Sequence, residues 1–284
     1  MQTVQLTTKG LNLQKQLEGV TASDVDAVTL KDARQLWTMC GGPHSVGSKI
    51  ISPPSANTKT AKAVRDEYIL HLAPHRVAGV RSVCPWSTAG CRAVCLYSSG
   101  RGKFEDIQTA RIARTKFATL YPAEFLALIR HEIQLLNRKY EGKKIKPFFR
   151  FNGTSDIAIE RVPVLVDLIN SCKSVEWADY TKANTAQRPN PTLDNYRLVR
   201  SIWADKPVTD LRTAITNGER IAICVTNKEQ LLEFDFVADA DRSDEWMFNN
   251  AVTIGLLSPK FPATNNDAWQ ASTVIDQINM FKSD

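Results

Sequence analysis

From Lys146 onward the chain repeats short apolar runs separated by helical patterns or long crossovers, and this rhythm constrains the fold more than any other feature. KPFFRFNG (146–153), SVEWADYTK (174–182), YRLVRSIWA (196–204), RIAICVT (220–226) and AVTIGLL (251–257) read as strands bounded by turn residues. Val162–Asn170 and Val208–Thr216 read as helices, the second closed by Asn217-Gly218. Strands joined by helices or long crossovers pair in parallel, and polar residues at their C-terminal ends line the site. Five strands are too few for an eight-unit barrel. The expected class is therefore α/β, a partial or irregular (β/α) barrel with mostly parallel strands.

Upstream of the strands, apolar residues recur at helical spacing over Asp106–Leu120. Pro122 sits well as a first-turn proline for a second helix running to about Tyr140. Ala61–Leu72 reads as a short helix. Residues 1–60 lack long apolar runs and are rich in Thr, Ser, Gly and Pro, so the expectation is a loop-rich N-terminal extension followed by a barrel-like domain over 61–284. Of 284 residues, 43% are hydrophobic and 23% charged, as in ordinary globular proteins. No run of eighteen apolar residues offers a membrane span, and MQTVQLTTKG is not patterned as a signal peptide, so a cytoplasmic protein is expected. The net charge of +6 fits an acidic partner, either a small anionic ligand or nucleic acid. The basic residues are dispersed, which weakens the nucleic-acid reading, and a mildly basic solvated surface is the bland alternative.

Three of the six cysteines, Cys84, Cys91 and Cys95, fall in the run CPWSTAGCRAVC. In a reducing compartment, thiols at this density argue for metal binding or catalysis over disulfides. Pro85 and Gly90 supply turns between the first two, and Cys91 and Cys95 lie four apart, as on one face of a helical turn. Three thiolates can hold an iron–sulfur cluster, 4Fe-4S or 3Fe-4S, with one iron left open. Zinc competes, because His71 and His75 lie just upstream, although no paired CxxC knuckle is present. Three unrelated buried thiols are the remaining alternative. Cys40 beside Gly41-Gly42 is the candidate fourth ligand, while Cys172 and Cys224 read as isolated core thiols.

A ligand pocket is expected beside the thiols. Arg101 lies between Gly100 and Gly102, where glycines let backbone approach an anion; a surface loop is its alternative. Arg111 and Arg114, one turn apart, either point back at the cysteines or are solvated. Arg150 and Asn152 alternate along a strand and so share a face. Thr154, Ser155 and Asp156 follow at the strand end, with helix capping as the competing role for Ser155 and Asp156. Asp179 and Lys182 repeat the pattern one strand later, with a surface ion pair as the alternative. DADRSDE (239–245) is either a carboxylate cation site or a solvated turn.

The combination of CPWSTAGCRAVCLYSSGRGKF, QTARIARTKF, FRFNGTSDI and WADYTK resembles the bacteriophage gene 88 protein family, over roughly residues 70–260. The resemblance implies a viral origin, hence the cytoplasm of an infected bacterium, and an iron–sulfur protein whose barrel is related in style to radical S-adenosylmethionine enzymes. The cysteine spacing departs from the tight trio of those enzymes and argues against S-adenosylmethionine as a cofactor. Two expectations follow: an iron–sulfur oxidoreductase or radical-type enzyme acting on a small anionic substrate, or a zinc- or cluster-stabilised protein that binds host protein or nucleic acid without turnover. A metal-free thiol redox protein is the third.

Overall fold

The computed structural model describes residues 8–43, 49–56, 61, 63–93, 95–204, 206–258 and 269–282. The loop readings at 44–48 and 57–60, and the first seven residues of the N-terminal segment, lie outside the described residues. The core of the fold is a curled, mostly parallel sheet that forms a half-barrel. Its strands are β1 (Glu67–Ile69), β2 (Phe148–Arg150), β3 (Glu176–Thr181), β4 (Tyr196–Ile202), β5 (Ile221–Thr226), β6 (Val237–Asp239), β7 (Ile254–Leu257) and β8 (Trp269–Gln270). They run in the order β1-β2-β3-β4-β5-β7-β6, with β8 added to the end of β5. Register is fixed by pairs such as Tyr68 with Phe149, Phe149 with Trp177, and Ala222 with Gly255.

The helices are α1 (Leu13–Glu18), α2 (Ala22–Asp26), α3 (Leu30–Met39), α4 (Ala89–Ala93), α5 (Glu105–Leu120), α6 (Pro122–Tyr140), α7 (Pro163–Ser171), α8 (Val208–Thr216) and α9 (Ala271–Lys282). Pro122 occupies the first turn of α6, where a missing N–H costs nothing. Among the described residues no helix is long and apolar enough to cross a membrane.

Two local expectations are corrected. Ala61–Leu72 is not a helix: Glu67–Ile69 is strand β1, and Glu67 to Leu70 are all buried. A short run buried on both faces shows neither helical nor alternating periodicity, so sequence pattern cannot separate the two. Residues 1–60 hold more helix than their composition announces. Leu13, Leu17, Val25, Ala33 and Trp37 from α1–α3 enter the same apolar core as Phe117, Phe125 and Phe149. Short helices whose few apolar residues are spaced by polar ones leave no long apolar run to read.

Strand alternation sorts side chains into two populations. Phe149, Trp177, Leu198, Ile221 and Ile223 face outward, into the cores under the helices. Ala178, Val199 and Ala222 face the concave side, where Trp246 and Met247 fill the space between them. Small residues on the concave wall make room for that plug. Gly255 on β7 is required there: a β-carbon would lie 2.3 Å from the Trp246 indole. The plug closes the lower end of the half-barrel and leaves the C-terminal ends of the strands open.

Candidate functional site

The inward rows, followed past the plug, lead into a cavity of about 260 Å³. Arg150 and Asn152 enter from β2 and its continuation, Tyr180 and Lys182 from β3, Ser201 and Trp203 from β4, and Cys224 from β5. Each pair is two residues apart, as alternation demands. The cysteine loop supplies the opposite wall with Cys84, Cys91, Cys95 and Leu96. Of the residues singled out in the sequence, Cys84, Cys91, Cys95, Arg150, Asn152, Asp156 and Lys182 line this one cavity.

The three thiols are half-buried at the cavity wall, with Cys91 on the short helix α4. The His75 N–H donates to Cys84 Sγ (3.4 Å), and the Cys84 thiol faces the Thr154 carbonyl (3.6 Å). Burial pushes the Cys84 thiol up to about 12 and raises that of Cys95, so both are protonated at neutral pH. Among the described residues no three His, Cys, Asp or Glu side chains are gathered closely enough to hold a single ion. His71 is not among the residues that line the cavity. Burial, with Arg111 and Arg150 close by, lowers it to about 3 and keeps it neutral.

Behind Cys95 the chain folds back on itself. Gly100 adopts a left-handed φ of 52°, and a β-carbon on Gly102 would lie 2.0 Å from the Leu96 carbonyl oxygen. The glycines of the Gly-Arg-Gly turn thus serve a close approach of backbone to backbone. Arg101 is exposed on this turn and does not line the cavity. Arg111 is buried, with Nη1 donating to the Leu96 carbonyl (3.5 Å) and its guanidinium 5.9 Å from the Tyr97 ring centre. Arg114 donates to the Ile50 carbonyl (2.9 Å), so neither arginine is solvated.

The cavity floor is built from matched charges. Arg150 Nη1 pairs with Glu67 (3.1 Å) and Asp244 (2.8 Å), and the Tyr180 hydroxyl donates to Asp244 (2.9 Å). Asp156 caps no helix. It accepts from the Lys182 N–H (2.8 Å), the Thr181 hydroxyl (3.1 Å) and Arg188 (2.8 Å). Ser155 donates to Asn152 instead of capping. Arg188, fully buried, also bridges Glu160 and the Tyr196 hydroxyl. Asp179 makes no surface pair: it is wholly buried behind the wall and receives both the backbone and side-chain N–H groups of Asn152 (2.7 and 3.0 Å). Lys182 Nζ donates to Ser201 (2.9 Å) and lies 4.5 Å from the Trp203 ring centre.

The structure brings in residues not expected from sequence. Tyr180, Ser201 and Trp203 carried a usable signal, because each shares strand parity with a neighbour already singled out. Asp244 did not. The acidic run DADRSDE divides: Asp239 and Asp241 bind Lys228 (2.6 and 2.9 Å), whereas Asp244 turns into the cavity. Cys40 lies at the end of α3 in the helical core, away from the cavity, and Cys224 is the further thiol lining it.

No curated protein and no solved structure matches the chain. The family described as Gene product 88 matches residues 50–269, which takes in every strand from β1 to the first residue of β8, the cysteine loop and the whole cavity lining. With more than three-quarters of its length covered, the chain belongs to the Gene product 88 family of phage gene products.

Proposed function

We propose that Cys84, Cys91 and Cys95 hold an iron–sulfur cluster at the open end of the half-barrel, beside a pocket for a small anionic substrate. The observation that carries the reading is that all three thiols share one cavity wall, opposite the polar strand ends. A cluster spreads its irons over several corners, so its thiolates stand farther apart than those around one ion, and three soft donors with no carboxylate among them suit it. When bound, a cluster with an open iron supplies a Lewis acid or an electron to a nearby substrate.

The chain's own groups would do the rest. Buried Arg111, next to Cys95, offsets negative charge on the thiolate side. Lys182 draws the anion, and Arg150, held by Glu67 and Asp244, keeps the floor rigid. The helix–loop wall at Leu96 and Pro74 shields one side from water. The thiol-redox alternative fits less well, because a thiol pushed up to about 12 at Cys84 is a poor nucleophile. An air-sensitive group suits the reducing cytoplasm of an infected bacterium.

Anaerobic purification tests the reading: brown protein with iron and sulfide in stoichiometric amounts, bleached by Cys91→Ser, is expected. Colourless protein with stoichiometric zinc, or none, overturns it.

A further inference from the structure

We infer that the outer face of the cysteine loop is a binding surface for single-stranded nucleic acid: Arg76, Arg92, Arg101 and Lys103 take its phosphates and Phe104 stacks on a base. None of these residues lines the cavity, so the surface does not depend on what the thiols hold. Its cations are dispersed along the sequence, but acids are missing where they fall. Residues 68–104 carry Arg76, Arg81, Arg92, Arg101 and Lys103 and no Asp or Glu, although the whole chain has 30 acids. All five cations are exposed, and none makes an ion pair with a described residue. Glu105 and Asp106, which end the stretch, stand in the first turn of α5, where they complement that helix's own dipole.

The fold gathers four of these cations around the thiols. His75, whose N–H donates to Cys84 Sγ, lies within reach of two of them: after burial, the charges of Arg92 and Arg76 hold its imidazole below the ordinary range. Arg92 follows Cys91 directly and is steadied by the Ser87 carbonyl (2.7 Å). Beyond Cys95, the Leu96 carbonyl lies against Gly102, which sets Arg101 and Lys103 beside half-exposed Leu96. Phe104 comes next and is also half-exposed. Arginine's planar fork meets a phosphate with two parallel hydrogen bonds. An exposed ring set among such cations is what single strands use, because each unpaired base offers a face for stacking. A duplex suits this surface less well. Its described residues form loops, a 3-10 turn at Gly100–Lys103 and the five-residue α4, and supply neither a long helix nor a β-ribbon to enter a groove. An acidic peptide would satisfy the cations and leave the ring unused.

Fluorescence anisotropy on the full-length, anaerobically purified protein tests this with a labelled single-stranded DNA of about 16 nucleotides, its duplex and a polyglutamate peptide of matching charge. Four phosphate contacts predict that log affinity falls with log salt at a slope of about −2.8, which is about fiftyfold weaker binding on going from about 50 to 200 mM. The double variant Arg76→Gln/Arg101→Gln removes two exposed cations and should bring the slope to about −1.4. Phe104→Leu, which keeps the apolar bulk, should weaken the strand about fivefold or more and leave the slope unchanged. Lys144→Gln, exposed just before β2 at the opposite end of the sheet, should change neither. Duplex or polyglutamate binding as tight as that of the single strand, a slope that the arginine variant leaves in place, or no binding overturns the assignment. Iron and sulfide are assayed on the same samples. Strand binding by iron-free protein keeps this surface and sinks the cluster, and iron-loaded protein that ignores the strand does the reverse.

Discussion

Replacing Arg188 with Met should be the most damaging single change behind the cavity. The guanidinium is fully buried and bonds Asp156 and Glu160 at 2.8 Å each and the Tyr196 hydroxyl at 2.9 Å. Burial alone would weaken its charge, but Tyr196 and the two carboxylates hold it firmly protonated. Methionine fills much of the same volume, so the loss is mainly electrostatic. Removing one member of a buried pair costs about 3–5 kcal/mol, since the partner is left charged and unsolvated. Asp156 keeps the Lys182 N–H and the Thr181 hydroxyl, which places the expectation at the lower end, about 3 kcal/mol.

The pH dependence separates this mechanism from simple loss of packing. Burial already raises Asp156 above its ordinary range, with Arg188 as the leading opposing influence. Without Arg188 its folded value rises further above the unfolded value of about 3.9. A group whose folded pKa is raised stabilises the fold while protonated, and that contribution is lost as pH rises through the folded pKa. The deficit of Arg188→Met should thus be smallest near pH 4 and grow toward neutrality. Urea denaturation of both proteins across that range measures it. A deficit below about 1 kcal/mol at neutral pH, or one that does not change with pH, would refute the reasoning.

Asp179 offers a related test: burial raises it to about 7, so its protonated form adds stability that fades as pH climbs from about 4 toward 7. Asp179→Asn should flatten that part of the stability–pH curve in urea titrations, and an unchanged slope would count against it. Gly255→Ala forces a β-carbon into the Trp246 indole and should cost about 1–3 kcal/mol by thermal denaturation. On the cluster reading proposed above, Gly102→Ala should displace the Leu96 carbonyl and, with it, Cys95, so that iron incorporation falls while the sheet's circular dichroism stays native. On the same reading, Cys40→Ser should leave iron content unchanged, because Cys40 packs in the helical core and not at the cavity.

The strand rhythm after Lys146 carried the fold because parallel strands covered on both faces must be apolar along their whole length, and no other element of that length looks the same. Strand β1 escaped for the same physical reason in reverse. Its one charged residue, Glu67, is buried against Arg150, and a buried salt bridge makes a strand look like a polar helix turn when only one partner is in view. Strands β6 and β8 are three and two residues long, too short to show any period. Tertiary pairing, not local pattern, makes them strands.

The site was legible to the extent that parity is legible. Arg150 and Asn152 were seen to share a face, and the same rule extended by one strand reaches Tyr180 with Lys182, and by two reaches Ser201 with Trp203. What parity cannot supply is long-range pairing. Arg188 sits in a stretch of Asn, Thr and Pro, and its carboxylates lie 28 and 32 positions earlier. Asp244 likewise hides within an acidic run in which Asp239 and Asp241 bind Lys228. Both escape notice for one reason: a charge is expected at the surface until its partner is known. Here the partners are buried, and they stiffen the strand ends that face the thiols. Arg150 is pinned by Glu67 and Asp244, and Asp156 by Arg188, so the polar wall cannot collapse onto the cysteine loop when the cavity is empty. That rigidity is what a binding site needs before a ligand arrives, because ordering the wall in advance removes a cost from binding.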